Sequence, residues 1–307
     1  MPKAGLRDVV INYREVGEGP KPLVLVHGLA ANMAFWNLRL QNALARRCRV
    51  VSYDLRGHGY SSMPERGYSP AAMAGDLIGL LDYLGIERAH LVGHSFGGTV
   101  LLNAAAATPD RVLSMTLVDT RLKALQPNQR LVDWPNWQEA KQMLEKLDLE
   151  VDELEEDIGL NLLEQVAEPR WKETRERLAK RALFVPFGGW SSGNRAAERF
   201  TRLLRETESR ADFQGSDGLP IERLYSIQKP VCGIYGGNSR CMTTANRLRE
   251  VWPSCRLHVV PGAGHYFPAV RPDVVAERIL EFLASLEPVA LRVEAPPAGA
   301  VHAEEGG

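Results

Sequence analysis

No stretch of this 307-residue chain stays apolar over the roughly 20 residues that a helix needs to cross a bilayer, so no membrane span is expected. Cysteine is scarce. The four residues, Cys48, Cys232, Cys241 and Cys255, show no CxxC or other close spacing, which argues against a zinc site or a disulfide framework. They read as free thiols of a reducing compartment, and Cys232, inside an apolar run, reads as a buried hydrophobe. Neither sign of charge is in excess. The 37 Lys and Arg face 38 Asp and Glu, a net charge of −1, so no global field draws nucleic acid or an anionic membrane surface. Met1 to Gly5 leads into strand-like residues rather than an apolar leader, and the cytoplasm is the expected location. Residues 288–307, and above all Glu294 to Gly307, are Ala, Pro, Gly and Glu with little to bury. A disordered tail is expected there.

What is present is an ordinary globular balance, 45% hydrophobic and 24% charged, in a chain long enough for a sizeable core. An alternating segment, Val9 to Gly17, is followed by short runs apolar on both faces: Leu23–Val26, Cys48–Tyr53, Ala89–Gly93, Val112–Val118, Val231–Tyr235 and Leu257–Val260. Such runs suit a parallel sheet covered by helices. Between them, Asn37–Arg46, Ser69–Leu84, Thr99–Thr108 and Pro272–Leu286 read as helices. Ser69-Pro70 supplies a cap followed by proline at the first helical position. The expected fold is α/β, a doubly wound, mostly parallel sheet, with its core in residues 1–120 and 229–287.

The alternation breaks over residues 121–228, a stretch of helical composition expected to form a helical cap over the carboxyl ends of the strands, where open α/β sheets bind ligands. Gly188-Gly189 and Ser191-Ser192-Gly193 are expected flexible points in it. Its acidic run, Glu145 to Asp157, and basic run, Arg170 to Arg181, read first as two solvated helix faces. The sharper reading is a lid with paired halves, or a face that docks a carrier protein. The stretch holds Trp134, Trp137, Trp171 and Trp190, and of its apolar residues Trp134, Trp137, Phe184, Phe187, Leu203 and Leu204 either build the cap's own core or receive an apolar acyl group.

Gly93-x-Ser95-x-Gly97, with Gly98 behind it, stands between a strand-like and a helix-like run. A serine there sits on a sharp turn that pushes its hydroxyl clear of the sheet, so it reads as a nucleophile. It requires a base, and His265, in Pro261-Gly262-Ala263-Gly264-His265 after the last strand, is the candidate. His27, His58 and His94 read instead as residues that shape loops near the site. His90, His258 and His302 read as strand or tail residues.

Four motifs in order, Val26-His27-Gly28-Leu29, Asp54-Leu55-Arg56-Gly57-His58-Gly59-Tyr60-Ser61, Gly93-His94-Ser95-Phe96-Gly97-Gly98 and Gly262-Ala263-Gly264-His265, resemble the α/β-hydrolase superfamily, in its serine esterase and thioesterase-like branch. The resemblance covers Val9 to Leu286 except the cap. It implies an oxyanion hole made by the backbone N–H groups of Leu29 and Phe96. It also implies an acid after the penultimate strand, in a loop reading Gly-x-x-Asp. Here that loop is Gly236-Gly237-Asn238-Ser239, and no Asp or Glu occurs between Arg223 and Arg249. Some members carry the acid one strand earlier, and that position is Asp119. The alternatives are a dyad supported by Asn238 or Ser239, or a cap residue such as Asp212 or Asp217.

The expected activity is a serine hydrolase that cleaves a carboxylic ester or thioester of a small-molecule acyl substrate, free or carrier-bound, through an acyl-enzyme. Lactone opening, C–C bond hydrolysis and a non-catalytic small-molecule receptor are the alternatives. No metal and no organic cofactor is expected.

Overall fold

The apolar runs become strands of an eight-stranded sheet in the order β1-β2-β4-β3-β5-β6-β7-β8. The strands are β1 Lys3–Gly5, β2 Val10–Val16, β3 Lys21–Val26, β4 Cys48–Tyr53, β5 Ala89–His94, β6 Val112–Val118, β7 Val231–Gly236 and β8 Arg256–Val260. The computed structural model describes residues 1–128, 159–168, 191–215 and 218–287, with single positions between 130 and 145. β1 and β2 pair antiparallel at one edge, and the other six strands are parallel. β1 has no signature in the sequence, since three residues are too few to show a period.

Both faces of the sheet are covered, which is why its strands are apolar throughout. On β3, Leu23 and Leu25 pack with Leu40 and Leu44 of α1 (Leu38–Ala45) and with Val275 and Ile279 of α10 (Pro272–Ser285). Val24 and Val26 point the other way, into the cluster containing Met73 and Leu77 of α2 (Pro70–Tyr83) and Val100 and Leu101 of α3 (Phe96–Ala107). Helix α2 starts as the sequence implies: Ser69 Oγ accepts from the Ala72 N–H at 3.2 Å and Pro70 takes the first turn. Helix α3 starts at Phe96, three residues before the expected Thr99, because the chain enters the helix directly from the turn at Ser95.

After β3 the chain places β4 on one side, then crosses to place β5 on the other. The loops that leave β3 and β5 therefore diverge at the carboxyl edge and open a crevice there.

The described part of the segment between β6 and β7 holds four helices: α4 Gly159–Ala167, α5 Ser191–Glu206, α6 Ser209–Gly215 and α7 Ile221–Tyr225. Ser191-Ser192-Gly193, expected to be a flexible point, is the first turn of α5. Leu203 of α5 is buried beside Gly57 and Tyr68 in the main core cluster, so it packs this helix onto the core. The Arg199 guanidinium donates to the Gly57 carbonyl at 3.0 Å and also to the Ser61 carbonyl, fastening α5 to the loop after β4. Trp134, Trp137, Trp171, Trp190, Phe184, Phe187, Asp217, Gly188-Gly189, the basic run, most of the acidic run and the expected tail lie outside the described residues. Two further helices precede α10, α8 Met242–Val251 and α9 Phe267–Val270.

Candidate active site

The turn after β5 holds Ser95 at φ 53° and ψ −121°, a backbone conformation that costs a non-glycine residue about 1–3 kcal/mol. The neighbouring chain leaves no alternative to glycine two residues on: a Cβ at Gly97 would lie 2.3 Å from the Val26 carbonyl oxygen. A Cβ at Gly28 would sit 3.1 Å from the Ser95 Cβ, so the loop after β3 runs directly beside the serine. That loop carries the Leu29 N–H. Phe96 opens α3, and its N–H is among the four that a helix leaves without an internal partner. The expected oxyanion donors thus belong to two segments that flank Ser95.

Asp119 follows β6 with the same unusual backbone, φ 48°. It is fully buried and its carboxylate is closely held. Oδ2 accepts from the Gly236 N–H at 2.8 Å, and Oδ1 accepts from Ser239 Oγ and from His265 Nδ1, the latter at 3.0 Å. His265 Nε2 lies 3.1 Å from Ser95 Oγ. A carboxylate only accepts, so the His265 proton sits on Nδ1 and the Nε2 lone pair faces the serine hydroxyl. Ser95, His265 and Asp119 are therefore brought together in hydrogen-bonding order, from the ends of β5, β8 and β6.

Ser239 is in the same network rather than in competition with it. It lies in the expected loop after β7 and donates to Asp119, while its oxygen accepts from the Cys241 N–H at 3.1 Å. Asn238 is exposed and contributes its backbone N–H to the Ala263 carbonyl, at 2.9 Å. Asp212 lies in α6, and its carboxylate accepts from the Tyr68 N–H at 2.7 Å.

Burial raises the Asp119 carboxyl, but the hydrogen bond and charge of His265, with Ser239 and the Gly236 N–H, outweigh it and hold the group below its ordinary value. His265 is also held below its ordinary value, first by burial and then by the Arg240 charge, against the opposing pull of Asp119. A neutral imidazole beside an ionised carboxylate is the state in which Nε2 can take a proton.

The other motif histidines support the site. His27 Nδ1–H donates to the Gly28 carbonyl at 2.8 Å and Nε2 accepts from the Leu55 N–H at 3.0 Å, tying the β3 loop to the β4 loop. His94 Nε2–H donates to the His265 carbonyl at 3.0 Å and its ring stacks on Phe35. Asp54 clamps the same region, accepting from Asn12 Nδ2 and from the Met33 and Tyr60 N–H groups at 2.7–2.9 Å.

Asp119, Cys241 and His265 are the His, Cys and acid cluster with metal-ligand spacing among the described residues. Cys241 Sγ lies 3.8 Å from His265 Nδ1, and burial pushes its thiol well up, so it is not a thiolate ligand near neutral pH. All four cysteines are buried and unpaired with one another, and Cys232 sits in β7 as expected.

Ser95 and His265 open onto a cavity of about 140 Å³ whose described walls include Thr99, Arg121, Arg240 and Cys241. The two arginines carry no motif in the sequence and are recognised only by their place on this wall. A larger cavity, about 690 Å³, lies between the β3 and β4 loops and α5 and is lined by neither Ser95 nor His265.

Residues 23–278 match the model of the alpha/beta hydrolase family. A 2-(acetamidomethylene)succinate hydrolase from Mesorhizobium japonicum is 29% identical over 287 residues, covering 90% of this chain and 92% of the relative. Among solved structures, an esterase from Rhodococcus sp. ECU1013 superposes with a TM-score of 0.68 at 24% identity, over 93% of this chain and 99% of its own. An enol-lactonase from Burkholderia xenovorans LB400 superposes with a TM-score of 0.62 at 23% identity, over 92% and 100%.

Proposed function

The chain belongs to the alpha/beta hydrolase family and to the hydrolase class of enzymes, and from that premise we propose that it is a serine hydrolase acting on a carboxylic ester or thioester. The observation that carries this reading is the relay from Asp119 through His265 to Ser95, with contacts of 3.0 and 3.1 Å. Ser95 Oγ attacks the substrate carbonyl and its proton passes to His265 Nε2. The resulting imidazolium is stabilised by Asp119. The negative charge that develops on the carbonyl oxygen is met by the Leu29 and Phe96 N–H groups, donors of a kind worth about 3–4 kcal/mol each. Collapse breaks the bond to the leaving oxygen or sulfur, which takes the His265 proton, and leaves an acyl group on Ser95. Water then gives a proton to His265 and attacks the acyl carbon. Ser95 departs and recovers that proton, so the sum is ester plus water to acid plus alcohol.

In this reading the helices between β6 and β7 are a cap over residues 1–120 and 229–287, and the partner is a small acyl substrate. No helix among the described residues is long and apolar enough to cross a membrane. A cytoplasmic setting is proposed from four buried free thiols.

A fluorophosphonate probe tests the mechanism. Ser95 should be labelled in the folded protein and not in the Ser95→Ala variant. A burst of 4-nitrophenol should precede steady-state ester cleavage. Absence of labelling in folded wild-type protein would instead favour a non-catalytic receptor.

A further inference from the structure

The turn after β7, Gly236-Gly237-Asn238-Ser239, carries no acid, yet it grips one that comes from β6. The Ser239 N–H closes this turn on the Gly236 carbonyl at 2.9 Å. The first and last residues of the turn each donate to Asp119. The Gly236 N–H meets Oδ2 at 2.8 Å, and the Ser239 hydroxyl meets Oδ1. A single turn therefore holds both carboxylate oxygens, and two points of attachment fix the plane of the group.

The direction of the Ser239 bond is set from both sides. The Cys241 N–H, at the start of α8, donates to Ser239 Oγ at 3.1 Å, and a carboxylate only accepts, so the hydroxyl proton points to Asp119. Oδ1 is also the oxygen that accepts from His265 Nδ1, at 3.0 Å. Ser239 and His265 thus share one oxygen. A second donor there keeps that oxygen turned to the imidazole. It also takes up part of the oxygen's charge, which weakens the pull on a proton held by His265.

We propose that Ser239 is a positioning residue for the base: its hydroxyl orients Asp119 toward His265 and leaves His265 easier to deprotonate than an unshared carboxylate would. The inference rests on the serine hydrolase reading and gives a task in it to a residue outside the relay.

The groups that face His265 make the effect readable. Asp119 comes from the end of β6, Arg240 and Cys241 from the segment after β7, His94 from β5 and Tyr266 from the His265 loop itself. The His94 and Tyr266 rings stand 4.8 and 4.9 Å from the His265 ring, and Arg121 is on the same cavity wall. Burial lowers His94 to about 3 and raises the Cys241 thiol and the Tyr266 phenol, so these three are uncharged near neutral pH. The charges are those of Asp119 and the arginines. Removing the Ser239 hydroxyl alters none of them, and Ser239 is buried and is not among the described lining residues of the cavity.

The test is the pH profile of 4-nitrophenyl acetate cleavage by wild type, Ser239→Ala and Ser239→Cys, from initial rates after dilution out of a neutral stock. Ser239→Ala should lower kcat about tenfold or more with KM little moved, the loss expected when a hydrogen bond to a charged group is removed. Its acid limb of kcat/KM should move up by about 0.5–1 pH unit, a share of the about 1–3 units by which a neighbouring opposite charge shifts a titrating group. Ser239→Cys places a weak donor at the same position, and its limb should lie between the other two. A limb in Ser239→Ala that stays in place or moves down would overturn the proposal, because a merely structural loss lowers activity alike at every pH. Should Ser239→Ala fail to fold, the limb of Ser239→Cys against wild type decides by the same rule. Fluorophosphonate labelling separates the two levels. A labelled Ser95 with an unmoved limb refutes this inference alone, whereas an unlabelled Ser95 in folded wild-type protein that leaves the ester intact sinks the serine reading and this one with it.

Discussion

Mild acid should unfold this protein, and the cause lies in three imidazoles that hold the loops around the site. His27, His58 and His94 are buried and depressed to about 4, about 3 and about 3. Burial is the first cause in each, joined by the His27 charge at His58 and by the His265 charge at His94. Their lone-pair nitrogens explain why. Nε2 of His58 and Nδ1 of His94 meet no hydrogen-bond partner, so a proton added there would be a buried charge facing nothing. The unfolded chain takes up these protons near 6.5 and the folded chain does not, so the stability is complete above that pH and drains away as pH falls toward the folded values. At about pH 4.5 each histidine has cost on the order of 2–3 kcal/mol, which together is comparable to the roughly 5–15 kcal/mol that hold a typical domain. Urea titrations followed by tryptophan fluorescence, from about pH 7.5 down to about pH 5, should show stability falling by up to about 4 kcal/mol per pH unit, the slope for three protons. His58→Gln should remove about one proton from that slope. A urea midpoint that stays constant over the range would refute the reasoning, because it would mean that these rings are not buried in the neutral form.

The relay makes further predictions. Asp119→Asn should lower kcat by two or more orders of magnitude, on the order of the loss seen when a triad carboxylate is removed, measured with saturating ester. Adding Ser239→Asp to that variant should restore part of the activity, since it returns a carboxylate to the same hydrogen-bonded cradle; Ser239→Asp alone should destabilise the fold by confining two carboxylates beside each other, seen as a lower Tm. The acid limb of kcat/KM should fall below pH 6.5, because His265 must be neutral to act as base and is held under its ordinary value; a limb above 6.5 would contradict the observed surroundings. Gly97→Ala should unfold or severely destabilise the protein in a thermal melt, since its Cβ would meet the Val26 carbonyl oxygen at 2.3 Å.

The parts of this molecule that are local in the chain are legible in the sequence. Apolar runs such as Leu23–Val26 and Val112–Val118 announce buried parallel strands because both faces must be apolar there. Ser69-Pro70 announces the start of α2, and Gly93-x-Ser95-x-Gly97 announces the turn, because the geometry involves only neighbours. Helix α8 had a signal that is easy to overlook, Met242, Ala245, Leu248 and Val251 at spacing three, obscured by the polar residues between them. Ser191-Ser192-Gly193 suggests flexibility by composition, yet it begins a helix because Leu203 and Arg199 further along anchor α5 to the core.

The relation between Asp119 and Ser239 is of another kind. The sequence favoured Asp119 as the acid, because Ser239 leaves the usual position without a negative charge, but it carried no record of how the two residues are related in space. The two are 120 positions apart, and they meet because β6 and β7 are parallel neighbours whose carboxyl ends lie side by side. The same adjacency sets Arg121 and Arg240 on one wall, with Gln126 between their segments. Residue type and spacing determined the sheet, the Ser95 turn and the glycine-rich loop that carries His265. Strand order determined which acid faces that histidine and which charges surround it, because distance along the chain carries no record of which strand ends become neighbours.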